Sequence, residues 1–458
     1  MNYLNRKLGP IENLFEIAHD LGGMILVNIA RLEGSITPNI VREALDLVQK
    51  HHPMLQVYIT ESVDGFYFQS KDTSKIPFRV VDKQHEEQWI ELAQDELHQK
   101  FPGGPVPLCR VTLLRSRTSH GISEIIATFH HAIADGLSCM VFIDELLSYC
   151  QRIAAGDSFA PLWKADGIPS VATMQLLPAV ENLLDSSLIG ENKVADSVEK
   201  PTEEIQPPKL IIESEAPASK RRTRFITRIL STEMTIMLRN RCKQEETTVH
   251  GALCAAMLFG AAKIIHNETP IHLSCGSAID LRKFCKQKVN DDYIGCLATA
   301  IGAIPHTLEK YTNFWDLARE CKSKISHSLS QVLLLSQINT ENLQFDRDLV
   351  LKFLEPQMGR GNTVEISNLG EFPFKNKYGK VQLKELYFAT GQHLNGSCFA
   401  LGVVTFHQQI FCRFTYIDPL VSTKTAELFV DSVMETIKKA GISQSFNLTM
   451  LDEVVISN

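Results

Sequence analysis

The sequence predicts an α/β protein organised as two domains. Apolar runs rich in β-branched residues and bounded by polar turns alternate along the chain with segments whose apolar residues recur at helical spacing. At 458 residues the chain exceeds one ordinary core and suits two domains of about 200 residues each. Between Gly156 and Lys220 the character changes: a polar, acidic stretch carrying Pro201, Pro207, Pro208 and Pro217 has too little apolar content for a core and reads as an extended or mobile linker. The expected divisions are therefore residues 1–160, a linker or crossover over 161–223, and residues 224–458.

In order, Arg6 to Glu12 is a polar segment containing Gly9 and Pro10, and Gly23 to Leu32 is a strand. Thr37 followed by Pro38 reads as an N-cap with proline at the first helical position, opening an amphipathic helix over Asn39 to Lys50. Strands follow at Gln56 to Ile59 and Gly65 to Gln69, joined by a turn, and a helix at His85 to Gln99. Leu108 to Arg115 and Ser123 to Phe129 are strands, and Leu137 to Ala155 is a helix. A further possible helix lies near Val171 to Leu184.

The second half restarts with a strand at Arg224 to Leu230, a helix capped by Ser231 or Thr232 and a long apolar helix from Val249 to Ile265. Strands at Ile271 to Ser277 and Cys296 to Ile304 precede helices at Asn313 to Leu334 and Asp346 to Leu354. Gly359-Arg360-Gly361 reads as a flexible turn. Strands at Thr363 to Ser367, Lys384 to Ala389, Ser397 to Phe406 and Gln409 to Tyr416 lead to a last helix, Ser422 to Ala440, with Gly441 as its stop.

The chemistry concentrates in EIIATFHHAIADGLSCMVFI, residues 124–143. A buried strand delivers His130 and His131 to a short loop carrying Asp135 and Gly136, and a helix begins at once. Near pH 7 a neutral imidazole can take a hydroxyl proton and later return one to a leaving thiolate. Adjacent strand residues point to opposite faces, so only one of the two histidines faces a given cavity. Two other readings stand beside this one: core histidines with satisfied ring nitrogens, or two histidines and an aspartate holding a metal. The loop with Gly136 disfavours the metal, because ligands four apart share a face only on a helix. The pair His51-His52 precedes Pro53 at a helix end, has no acid four residues on and reads as structural.

The pattern His-His-x-x-x-Asp-Gly resembles the active-site motif of the thioester-dependent acyltransferases that include chloramphenicol acetyltransferase, nonribosomal peptide condensation domains, and polyketide-associated and alcohol acyltransferases. Shorter stretches are similar in the same order: Thr37 to Leu55 ending in HHPML, Thr-Val-His-Gly-Ala at 248 to 252, Asp280-Leu281-Arg282, and Ser367-Asn368-Leu369-Gly370. The Asp-Phe-Gly-Trp-Gly element of the plant branch is absent and Glu371-Phe372-Pro373-Phe374 stands there, so the chain looks like a stand-alone relative of the polyketide-associated and alcohol acyltransferases.

The resemblance implies two chloramphenicol-acetyltransferase-like domains, mixed sheets with helices, set in a V with a tunnel between them. It places the general base at the second histidine, His131, beside the motif residues His130 and Gly136, and gives Asp135 a structural role in holding the loop. Arg282 is the expected partner of Asp135, and Ser367 and Asn368 are candidate oxyanion donors. The implied reaction moves an acyl group from a CoA or acyl-carrier-protein thioester to a small-molecule alcohol, with no acyl-enzyme, no metal and no cofactor. An amide-forming enzyme and a non-catalytic carrier-binding module of the same fold are the alternatives. Small residues in Cys296 to Ile304 and Ser397 to Val404 are expected to leave room for an acyl chain longer than acetyl.

A net charge of −7 and a pI near 6.1 give no global attraction to nucleic acid or anionic lipid. The basic cluster Lys220, Arg221, Arg222 and Arg224 reads either as a solvated face or as a docking patch for an acidic carrier or a nucleotide phosphate. Eleven cysteines without a C-x-x-C pair suggest a reducing compartment, and neither a signal peptide nor a membrane span is expected, so the chain is placed in the cytoplasm as a monomer.

Overall fold

The computed structural model describes residues 5–118, 121–157, 207–265, 270–285, 288–290, 292–335, 347–354, 356–443 and 445–451. Most of the expected linker, and the helix expected near Val171 to Leu184, lie outside the described residues. The strands of the first half are β1 (Asn5–Lys7), β2 (Ile25–Glu33), β3 (Tyr58–Ser62), β4 (Gly65–Gln69), β5 (Phe78–Asp82), β6 (Cys109–Arg115) and β7 (Ile122–His130). Those that follow are β8 (Arg222–Leu230), β9 (Ile271–Asp280), β10 (Ala298–Leu308), β11 (Arg360–Glu371), β12 (Lys377–Tyr378), β13 (Val381–Thr390), β14 (Gly396–Phe406) and β15 (Gln409–Asp418).

They form two six-stranded mixed sheets, ordered β12-β13-β2-β7-β6-β5 and β10-β9-β11-β14-β15-β8, and a small sheet β1-β4-β3. In the first sheet β5 runs parallel to β6; in the second β11 runs parallel to both β9 and β14. On the first sheet pack α1 (Pro10–Asp20), α2 (Pro38–His51), α3 (Gln88–Glu96) and α4 (Gly136–Ala155). The second carries α5 (Thr232–Gln244), α6 (Val249–Ile265), α7 (Phe314–Leu335) and α9 (Thr423–Ile442), while α8 (Arg347–Leu354) packs against α1. Helix α6 is apolar all round because it is buried all round, from Gly251 to Ala262, between the sheet and its neighbours α7 and α9.

Sheet membership crosses the division expected at residues 160 and 224. Strands β12 and β13, far along the second half, complete the first sheet, with Leu386 opposite Ala30, Tyr387 opposite Ile29 and Phe388 opposite Asn28. Strand β2 is buried throughout Ile25–Ala30, so an open edge there would strand its ladder groups away from water. Apolar alternation announces a strand but not the sheet it joins, which is why the crossing does not show in the sequence.

Other differences are local. The polar segment at the N-terminus is the start of α1: Gly9 is its N-cap, Pro10 occupies the first turn, and Glu12 accepts from Gly9 N at 2.8 Å and from Arg6 at 2.6 and 2.7 Å. Strand β5 is an additional element. Arg360 is no flexible turn; it opens β11 fully buried, donating to the carbonyls of Ser397 (2.9 Å) and Gln392 (2.8 Å). Helix α9 runs through Gly441 to Ile442 before Ser443 ends it. The basic cluster divides: Arg221 is buried on the carbonyls of Ala216 and Met358, Arg224 donates to Gln94, and only Lys220 and Arg222 are exposed. It is not a continuous docking patch. No single helix among the described residues is long and apolar enough to cross a membrane, and all eleven cysteines are buried free thiols.

Candidate active site

Strand β7 lies in the middle of the first sheet, buried without a break from Ser123 to His130, so the loop after it leaves a rigid platform. Asp135 ends that loop as the N-cap of α4, its Oδ1 accepting from Ser138 N at 2.9 Å and Ser138 Oγ at 2.9 Å. At the far end Gly156 closes α4 in the left-handed conformation, φ +72°.

The second half meets this loop. Arg282, just after β9, donates to Asp135 Oδ2 at 2.8 Å and Oδ1 at 3.1 Å, a two-pronged contact, and also to Asp280 at 3.0 Å and Ser138 Oγ at 3.1 Å. Leu297 N adds a bond to Asp135 Oδ2 at 2.9 Å, and Ser138 Oγ bridges Gly295 N and O at 3.1 and 2.8 Å. Burial alone would raise the Asp135 carboxyl, but the Arg282 charge and hydrogen bonds, with those of Ser138 and Leu297, hold it below the ordinary carboxylate value. Gly136 lets β11 come close: a Cβ there would stand 2.5 Å from Leu369 Cδ2 and the leucine side chain would have to shift.

The two histidines separate as strand alternation demands. His130 is fully buried, its Nδ1 accepting from Ala132 N at 3.1 Å and its Nε2 lying 3.0 Å from Glu16 Oε2 on α1. His19, one turn along α1, accepts from Phe101 N through Nε2 at 2.9 Å, and its ring centre is 4.3 Å from that of His130. Burial, then the charges of His130, Lys100 and Arg110, push His19 down to about 2, so it is neutral. Glu16, His19 and His130 are close enough to suggest a metal. The tautomers argue otherwise. Each imidazole spends one nitrogen as an acceptor for a backbone N–H, so the nitrogen facing Glu16 must carry the proton, whereas a ligating histidine donates from its outer nitrogen. Glu16 is a positioning residue whose carboxylate faces the His130 ring. Likewise His51 Nδ1 and His52 Nε2 lie 3.2 and 2.8 Å from Glu145 Oε2, joining α2 to α4.

His131 turns the other way, into a cavity of ≈ 480 Å³ lined from both sheets. Phe15 stacks on its ring with centres 4.2 Å apart and planes at 19°, and Cys296 Sγ lies 4.0 Å from its Nδ1. Burial lowers its pKa against opposing hydrogen bonds to the carbonyls of His131 and Ala134 and the charge of Asp135, and the net direction is down. Ser367 lines the same cavity; Asn368, the next residue on β11, does not, and its Oδ1 instead accepts from Gly370 N at 2.9 Å. The cavity therefore gathers His131, Gly136, an edge of Asp135 and Ser367, and leaves out His130 and Asn368. Of the expected small-residue walls, Ala298 and Ala300 face the cavity, whereas Cys398, Phe399, Leu401 and Val403 belong to the second core.

The sequence over residues 25–166 matches the Condensation domain family, and residues 219–397 match the Phthiocerol/phthiodiolone dimycocerosyl transferase C-terminus family. The chain belongs to the chloramphenicol acetyltransferase-like condensation superfamily. Solved structures of this superfamily fold agree along nearly the whole chain. Polyketide synthase associated protein 5 from Mycobacterium tuberculosis is 16% identical over 95% of this chain and 98% of its own, with a TM-score of 0.61. The TRI3 trichothecene 15-O-acetyltransferase from Fusarium sporotrichioides is 12% identical over 96% of each chain, with a TM-score of 0.67. The starter condensation domain of rhizomide synthetase, solved as a mutant in complex with C8-CoA, is 14% identical over 97% of this chain and 96% of its own, with a TM-score of 0.65. No curated protein sequence matches the chain. Identities this low speak to the fold, which is an acyltransferase fold.

The contribution of α1 to the site is what sequence reading missed. Phe15, Glu16 and His19 sit at the i, i+1 and i+4 positions of one helical face, a pattern that the capped start at Gly9 and Pro10 could have exposed.

Proposed function

We propose that the protein transfers an acyl group from a CoA or carrier-protein thioester to a hydroxyl acceptor, with His131 as general base. The observation that carries this reading is an imidazole turned into a cavity that both halves of the chain line, its pKa lowered by burial. With one ring N–H given to backbone carbonyls, the other nitrogen holds a lone pair. It takes the acceptor proton as oxygen attacks the thioester carbonyl, and returns it to sulfur as the carbon–sulfur bond of the tetrahedral intermediate breaks. No acyl-enzyme forms, and no metal or cofactor is called on. Ser367 Oγ is the side-chain donor offered to the developing oxyanion, and the backbone at Gly136 is the second candidate. Asp135 and Arg282 hold the loop and do not touch the reacting atoms.

The test is consumption of acyl thioesters from acetyl to octanoyl with an alcohol acceptor. Ala278, Ala298 and Ala300 leave space along the cavity wall, and each buried methylene contributes about 0.8 kcal/mol, or about fourfold in kcat/KM. The expected series rises from acetyl to medium chains. A flat or falling series rejects the acyl channel, and no thioester consumption with any donor rejects acyl transfer itself.

The pH profile follows from the direction of the His131 shift. The base must be unprotonated and burial lowers its pKa, so the acid limb of kcat/KM should fall below pH 6.5, the ordinary histidine value. An acid limb above 6.5 would assign the titration to another group.

A further inference from the structure

One wall of the cavity is not used by the proposed chemistry. Strand alternation on β11 turns Glu365 and Ser367 into the cavity and sends Val364 and Ile366 to the second core. Among the described residues no hydrogen-bond donor reaches the Glu365 carboxylate; burial raises its pKa, opposed only by the charges of Arg413 and Arg360. Arg360 is committed to the carbonyls of Ser397, Gln392 and Met358, and Arg413 gives Nε to Phe388 O at 2.6 Å. Two more cavity residues, Asn362 and Asn395, each hold a buried side-chain carbonyl oxygen without a partner. Buried acceptors are ordinarily satisfied, so the two amide oxygens, beside a half-buried carboxylate that opens on the same cavity, call for a ligand rich in hydrogen-bond donors.

Charge selects between the two donor-rich classes. The Arg413 and Arg360 guanidinium groups already act on the single carboxylate, so an ammonium group would bring a third positive charge to the same wall. Hydroxyl groups donate without that penalty. We propose that the acceptor is a neutral polyhydroxylated molecule, a sugar or polyol, whose non-reacting hydroxyls bind Glu365, Asn362 and Asn395 and so orient the reacting hydroxyl toward His131. The inference rests on the acyl-transfer reading for the fate of that hydroxyl, while the binding wall stands on its own contacts.

Three ring-matched acceptors test it with octanoyl-CoA as donor: methyl α-glucoside, cyclohexylmethanol and aminomethylcyclohexane. Methyl α-glucoside should have the highest kcat/KM, at least about tenfold above the others, as expected for hydrogen bonds to a charged group. Glu365→Gln should lower the glucoside value by about 10- to 100-fold and change the glucoside-to-cyclohexylmethanol ratio in the same direction. Asn395→Ala should shift that ratio likewise, which guards against a misfolded Glu365 variant. In parallel, saturation-transfer NMR should detect methyl α-glucoside on His131→Ala and lose it on the His131→Ala, Glu365→Gln double variant. Glucoside binding without acyl transfer from any thioester would sustain the polyol wall and reject the proposed function. Acyl transfer that prefers the monoalcohol or the amine, or a Glu365→Gln effect equal on all three acceptors, would overturn the polyol wall and leave the proposed function intact.

Discussion

His131→Ala is expected to lower kcat by about 10² to 10⁴ while the protein stays folded, the range for removing a positioned general base. The fold should survive because the ring faces a cavity; the histidine that braces strand β7 is His130, tied to Ala132 and to Glu16. His130→Ala should therefore give the opposite signature, a loss of stability that leaves an orphaned backbone N–H at Ala132 and unpairs Glu16. Comparing the two variants by turnover and by urea midpoint separates base from brace. Full turnover in folded His131→Ala would refute the assignment. Phe15 supplies a check on the same side chain, since its stacked ring fixes the plane of the imidazole.

The distinction between the histidines was partly legible before any coordinates. Strand periodicity requires them to face apart, and the resemblance points to the second as the base. What periodicity could not supply is the element each would meet. His130 is held by α1, whose polar first turn hides a helix that packs only once Phe15 and His19 find β7 and Phe101. Asn368 failed as an oxyanion candidate for a related reason: β11 continues past Ser367 to Glu371, so the two residues alternate across a strand instead of sharing a turn. Glu365 drew no notice because a glutamate between apolar strand residues reads as a solvated face. Only the approach of the first sheet, with Phe388 and Thr390 across the cavity, encloses it. The joining of β13 to β2 belongs to the same class, a long-range pairing that no local pattern encodes.

The contact of Asp135 with Arg282 carries the second large effect, and the two truncations should differ. In Arg282→Ala the carboxylate of Asp135, 2% exposed in the intact protein, would still accept from Ser138 N, Ser138 Oγ and Leu297 N. Asp135→Ala removes the acceptor for all of those donors and leaves the guanidinium with Asp280 and Ser138. Breaking a buried pair by removing one partner destabilises by about 3–5 kcal/mol, so Asp135→Ala is expected at the upper end and Arg282→Ala at the lower. Acid titration gives a second readout with a definite sign. The folded-state carboxyl lies below its ordinary value of 3.8, so its contribution to stability is present above that pH and is lost as pH falls through the lower folded value. Without Arg282 the burial contribution is less opposed and the folded pKa rises, so Arg282→Ala should begin to lose stability at a higher pH than the wild type. Urea midpoints from pH 3 to 7 measure both effects. Coincident curves for Arg282→Ala and wild type would show that the remaining three donors hold the loop unaided, and would remove Arg282 from the account of how His131 is positioned.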